Sequence, residues 1–310
     1  MFQRVLTVAL NAYREAVRAR VLLGLAGVAF AVAFYSLIVG SFALRDSARV
    51  VADLGAATVS VFSIAVAILI GATSLYRELE MKTILPLLAR PIRRSEYLLG
   101  KFFGIMTVVA VFVMAEAGVI LMMSAVMGGR SVGLVLAVAV VLVLALFVVA
   151  WRSQSLRTFA PIPWAVAMLV AGVWLSSVAP LERSLVLSSA ALTVLEVMII
   201  ASLATLFSSF STPFISSLLT VWVVIIGRNA DDLTKLPAKV FGEAISQAGK
   251  ALAMVWPNLH VYVPARPLLT GEALDTSLSL YLAQAGLQSL GWTVGLLALA
   301  AIIFQRRDFT

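Results

Sequence analysis

Two carboxylates, Glu116 and Glu196, stand near the middle of long apolar runs. An ionisable group inside a bilayer is costly, so it serves as a proton site, a point on a substrate path, or a hydrogen bond to a neighbouring helix. The sequence offers no intramembrane cation to pair with either one, and the structural bond between helices is the preferred reading. Other chemistry finds little support. The chain has no cysteine, which excludes disulfides and thiolates, and its one histidine, His260, makes no cluster for zinc, copper or haem. No metal site is expected, and His260 reads as an outer loop residue. Met122, Met123 and Met127 do not share one helical face and read as packing. The serines lack a histidine or aspartate partner for nucleophilic catalysis. Gly100-Lys101 has the end of a phosphate-binding loop, but Ser95 stands where its first glycine is required and Phe102 where a Ser or Thr is. The chain is therefore read as a non-enzyme that binds no cofactor of its own.

The elements that carry these residues are legible from composition. The chain has 310 residues, 62% hydrophobic and 12% charged, with a mean hydropathy of +1.06, against about 25% charged in a typical soluble domain. Apolar runs at 21–44, 55–75, 102–127, 131–151, 160–179, 185–207, 212–227 and 282–304 are each about long enough to cross a bilayer. The expectation is an all-α, polytopic transmembrane bundle of about eight spans forming a single domain over 1–310. The net charge of +8 fits basic loops on the cytoplasmic side rather than a nucleic-acid surface. Most of the basic excess lies in 1–20, 76–101, 152–159 and 305–310, which puts both termini inside.

Residues 2–20 form a basic amphipathic helix. Gln3, Arg4, Thr7, Asn11, Arg14, Glu15 and Arg18 lie on one face, and Phe2, Val5, Leu6, Ala9, Tyr13, Ala16 and Val17 largely on the other. Such a helix rests in the membrane interface, in contact with lipid, or else simply extends the first span. It is not a cleavable leader, because the apolar run behind it is too long. The outer segment 228–281 carries Leu233, Leu236, Val240, Phe241, Ala244, Ile245, Ala248, Leu252 and Val255 at roughly helical spacing, before Pro257, Pro264 and Pro267 break it. It is expected to rest on the outer leaflet or dip back into the protein.

Six of the 23 Lys and Arg residues fall in Tyr76–Lys101. Glu78 and Lys82 stand at i, i+4 in the favourable order on a continuation of the second span. Pro91 ends that helix, and Ser95 is a plausible N-cap for a new helix entering the third span. The product is an elbow whose ridge of Ile84, Leu85, Leu87 and Leu88 should be covered by something.

At this elbow, Arg77-Glu78-x-Glu80-x-x-Thr83, Leu87-Leu88-Ala89-x-Pro91-Ile92-x-Arg94 and Glu96-Tyr97-Leu98-x-Gly100-Lys101 resemble the loop after the second span of ABC type-2 permeases, the membrane subunits of ATP-binding-cassette exporters. The subgroup it is most similar to includes the permease associated with multicopper-enzyme and nitrous-oxide-reductase maturation. The stretch from Leu206 to Pro213 and the ending Phe304-Gln305-Arg306-Arg307-Asp308 also resemble that family. The resemblance implies that Glu78, Glu80, Thr83, Leu87, Pro91, Arg94, Tyr97, Gly100 and Lys101 belong to a coupling helix docked on a separate ATP-binding subunit. Two copies of that subunit would hold ATP and magnesium, and a second permease copy or a related permease would complete the complex. It further implies a bacterial inner membrane, a six-span core with an inserted pair between Ser131 and Trp174, and a pathway lined by 55–75 and 212–227. A self-sufficient secondary transporter or channel, or an assembly scaffold, remains the alternative.

Overall fold

A long apolar segment in hydrocarbon must satisfy its backbone N–H and C=O groups internally, and a helix does so without a partner strand. The computed structural model describes residues 2–43, 46–80, 93–235, 242–263 and 277–306, all helix, turn or short connection and without a strand among them. The helices are α1 (Phe2–Arg18), α2 (Arg20–Ser41), α3 (Ser47–Glu80), α4 (Arg94–Met127), α5 (Val132–Arg152), α6 (Gln154–Arg157), α7 (Pro161–Leu175), α8 (Pro180–Ser208), α9 (Pro213–Arg228), α10 (Ala230–Thr234), α11 (Glu243–Val255) and α12 (Leu278–Arg306), with 3-10 turns at Ser176–Val178 and His260–Tyr262. Proline opens α7, α8 and α9, at the one position where its missing N–H costs nothing.

Seven helices are long and apolar enough to cross a membrane, and α9, with 16 residues, is a shorter apolar one. Contacts at the two chain ends decide whether α9 crosses. Val8 and Ala12 of α1 lie against Gly100 and Gly104 in the first turns of α4, and Phe304 near the end of α12 stacks on Tyr97 of the same helix. Both chain ends therefore sit at one end of α4. A chain that leaves and returns on the same side crosses an even number of times, so α9 is the eighth span.

The bundle is built around α3, α4 and α8, which pack on one another, with α12 against α8 and α7 against α4. No hydrophobic force drives helices together in lipid, so close backbone approach has to supply the contact. At the α4–α7 crossing, a Cβ on Gly118 would stand 2.7 Å from the Met168 carbonyl, and one on Gly172 would stand 2.7 Å from the Gly118 carbonyl. At the periphery, α5 buries only Val135, and α2 shows Leu23, Phe34, Tyr35 and Ile38 on its outside.

One local expectation changes. The helix entering the third span begins at Arg94 with Arg93 at its N-cap, rather than at Ser95. The reason is Glu96, at the third helical position, whose carboxylate accepts from the Arg93 backbone N–H at 3.2 Å. Among the described residues of the outer segment the helical pattern is carried by α10 and α11; Leu236, Val240 and Phe241 lie outside the described residues, as do Pro264 and Pro267. Beyond α11 the chain folds back into the bundle. The Leu259 N–H donates to the Gly227 carbonyl at 3.0 Å, the Trp256 indole donates to the Val223 carbonyl at 3.3 Å, and Leu259 and Tyr262 are fully buried.

Candidate functional site

The first turns of α4 carry four of the predicted coupling residues, and the structure brings them to both ends of the chain. Arg94 donates to the carbonyls of Phe304 and Gln305 at 3.1 and 2.8 Å. These are among the last-turn carbonyls that a helix leaves without partners, and a cation there also meets the negative end of the α12 dipole. Tyr97 is buried and stacks on Phe304 with ring centroids 6.2 Å apart. One turn on, Gly100 and Gly104 allow α1 to lie directly on α4: an added Cβ would come within 2.5 Å of the Val8 and Ala12 side chains respectively. Lys101, buried beneath α1, reaches the Glu15 carboxylate at 3.2 Å. Arg4 lies 3.8 Å from Glu96, the residue that also holds the N-terminus of α4. Arg94 and Tyr97 thus hold the end of α12, while Gly100 and Lys101 hold α1.

The rest of the predicted set is only partly described. Glu78 and Glu80 fall in the last turns of α3. Thr83, Leu87 and Pro91 lie outside the described residues, together with Lys82 and the expected ridge of Ile84, Leu85 and Leu88.

Deeper in the bundle the two acidic residues part company. Glu196 on α8 is fully buried, and it does have a cation: Arg228, the last residue of α9, donates Nε–H to one carboxylate oxygen at 2.8 Å and Nη2–H to the other at 2.9 Å. The expectation of no partner is corrected. Arg228 ends an apolar run and reads in sequence as a loop residue, but α9 is short and its final turn is covered by residues 256–263. The long side chain reaches back into the protein rather than out. Nη2 also donates to the Ser60 hydroxyl on α3, so one guanidinium joins three spans.

The covering segment extends this network outward. His260 is half-buried rather than on a loop surface, and its Nδ1–H donates to the Arg228 carbonyl at 3.1 Å. Asp231 accepts from the Asn258 amide at 2.8 Å. Tyr262, fully buried, donates to the Ala285 carbonyl of α12 at 3.1 Å.

Glu116 on α4 is also fully buried, and neither of its carboxylate oxygens has a hydrogen-bond partner. Ser63 on α3 and Ser189 and Thr193 on α8 are likewise buried with unpartnered hydroxyls. Met122 and Met123 are buried in separate apolar clusters, which is packing. Among the described residues no group of three His, Cys, Asp or Glu side chains is placed to hold a metal ion.

An eight-span helical bundle with one end of a central span clamped to both chain ends is a polytopic membrane protein. Residues 6–309 match the family model described as ABC-2 family transporter protein, and the chain belongs to that family. A comparison with curated proteins gives no match. The chain is thus a membrane component of ABC-2 type, of permease character.

Proposed function

We propose that this chain is the permease subunit of an ATP-binding-cassette exporter whose ATP hydrolysis resides on a separate subunit. Two ATP-binding subunits, carrying ATP and magnesium, would act on a pair of permeases formed by two copies of this chain or by one copy and a relative. Both termini and the 76–101 elbow would face the cytoplasm of a bacterial inner membrane. The observation that carries this reading is the clamp at the start of α4. The segment between α3 and α4 leads into a helix whose first turns are tied to α1 by Gly100 and Lys101, and to α12 by Arg94 and Tyr97. A displacement imposed on the elbow would therefore move α4 together with both peripheral helices instead of being absorbed in a loop. In this reading Arg94, Tyr97, Gly100 and Lys101 transmit the movement, and Glu78, Glu80, Thr83, Leu87 and Pro91 meet the ATPase. The nearly bare apolar surface of α5 and α2 suits lipid or a second permease. The elbow residues are most similar to those of the subgroup that includes the permease associated with multicopper-enzyme and nitrous-oxide-reductase maturation.

The test is co-purification of the full chain with the ATP-binding subunit encoded beside it. Glu80→Ala combined with Arg94→Ala is expected to lose the ATPase and its permease-stimulated hydrolysis, while Arg94→Ala alone retains binding but loses stimulation. Unchanged binding and unchanged stimulation in the double variant would defeat the docking assignment.

A further inference from the structure

A cavity of about 1090 Å³ opens between α1, the start of α2, the end of α3 and Pro213 at the start of α9. One edge is polar and comes from a single helix face: Asn11, Arg14, Glu15 and Arg18 of α1, at i, i+3, i+4 and i+7. The opposite wall is mostly hydrocarbon, with Leu22 and Leu25 from α2 and Leu69 and Ile70 from α3 beside Thr73 and Tyr76. The polar edge has a definite sign. The Glu15 carboxylate is bound by Lys101 at 3.2 Å, which offsets its charge, and the exposed Arg14 and Arg18 are left to set the potential at the mouth. Arg14 lies 4.9 Å from the Phe159 ring centroid, a contact that fixes its position without neutralising it.

The dimensions and the gradient select the ligand. The volume lies just above the range of about 300–1,000 Å³ typical of pockets for drug-sized ligands, far more than an inorganic anion fills. Because α2 and α3 span the bilayer, an occupant with its charge at α1 runs its remainder along their apolar faces into the hydrocarbon. We propose that this cavity binds an anionic amphiphile, with a phosphate-bearing headgroup at Arg14 and Arg18 and an acyl chain along Leu22, Leu25, Leu69 and Ile70. Asn11 supplies a neutral donor to the same headgroup. The site stands on this geometry and does not depend on coupling to an ATPase.

The full chain, purified in a neutral detergent, tests this by native mass spectrometry and thermal shift against three probes: phosphatidylglycerol, phosphatidylcholine and inorganic phosphate. Phosphatidylglycerol is expected to bind at least tenfold tighter than phosphatidylcholine. Arg14→Gln with Arg18→Gln should weaken it by about fivefold for each arginine removed and leave phosphatidylcholine unaffected. Thr73→Trp, which fills the cavity from an exposed position on its wall, should abolish the preference even where the arginine variant folds poorly. Equal binding of the two lipids, or full phosphatidylglycerol binding by the Thr73→Trp chain, would overturn the site. Inorganic phosphate competing at the lipid's own affinity would assign the arginines to a free anion and overturn the amphiphile.

Discussion

Glu196 and Glu116 pose opposite electrostatic problems in one bundle. The Glu196 carboxylate is held at both oxygens by Arg228, so removing one partner leaves the other charge buried. Breaking a buried pair in this way costs about 3–5 kcal/mol, and the lower end applies here because Arg228 keeps 24% of its side chain exposed. Glu196→Gln is accordingly expected to destabilise by about 3 kcal/mol, and adding Arg228→Gln should recover part of that loss. Thermal unfolding of the four members of the cycle in detergent checks this; strictly additive losses would show that the two groups do not interact. Glu116 has no such partner at either oxygen. Tyr13 offers a pH test outside the spans. Burial against Phe159 pushes its hydroxyl up to about 12, whereas an unfolded tyrosine ionises near 10. The unfolded chain therefore releases this proton first, and stability contributed below pH 10 is lost as the pH climbs toward 12. Tyr13→Phe should remove that slope in midpoint measurements between pH 9 and 12, and an unchanged slope would assign it to other groups.

The contact of α1 with α4 is a small-residue packing surface, and it explains where sequence patterning stopped. Amphipathicity marks α1 as a helix with a polar and an apolar face, and Ala9, Tyr13 and Ala16 of that apolar face are buried. The buried stripe also takes in Val8 and Ala12, while Phe2 and Leu6 of the predicted face, with Leu10, lie outward. The partner surface is made by glycines, which contribute nothing to a hydrophobic pattern, so the docking of α1 was not legible although its helicity was. A Cβ on Gly104 would fall 2.5 Å from that of Ala12 and 2.7 Å from the Ala9 carbonyl, with no flexible side chain to yield. Gly104→Val is expected to lift α1 from α4. The chain contains no cysteine, so a Val8→Cys chain carries a single thiol, buried at this contact. Maleimide labelling of that thiol should rise at least tenfold when Gly104→Val is added, and equal labelling would show that α1 stays docked.

Over the whole molecule, the eight crossings were legible because each is a continuous apolar run, and the alternation of basic loops predicts their direction. What the sequence could not show is how the shortest of them, α9, is completed. Its 16 residues rise about 24 Å, less than a hydrocarbon core of about 30 Å. The remaining thickness is closed by residues 256–263, drawn in through Gly227, where a Cβ would meet the Pro257 carbonyl and Leu259 at 2.8 Å. That close approach is also why Arg228 turns inward to Glu196, a pairing between residues far apart in sequence that no local pattern announces. Two single-thiol chains put the resulting topology to the test. Thr212 precedes α9, is exposed, and makes no capping bond through its side chain; Glu243 is exposed at the start of α11 beyond α9. In intact cells a membrane-impermeant maleimide is expected to label Glu243→Cys but to reach Thr212→Cys only after permeabilisation, because the proposed orientation puts the termini and Thr212 together on the basic, cytoplasmic side. Labelling of both thiols in intact cells would mean that α9 does not cross. The chain would then have seven crossings and its ends on opposite sides, against the joint contact of α1 and Phe304 with the start of α4.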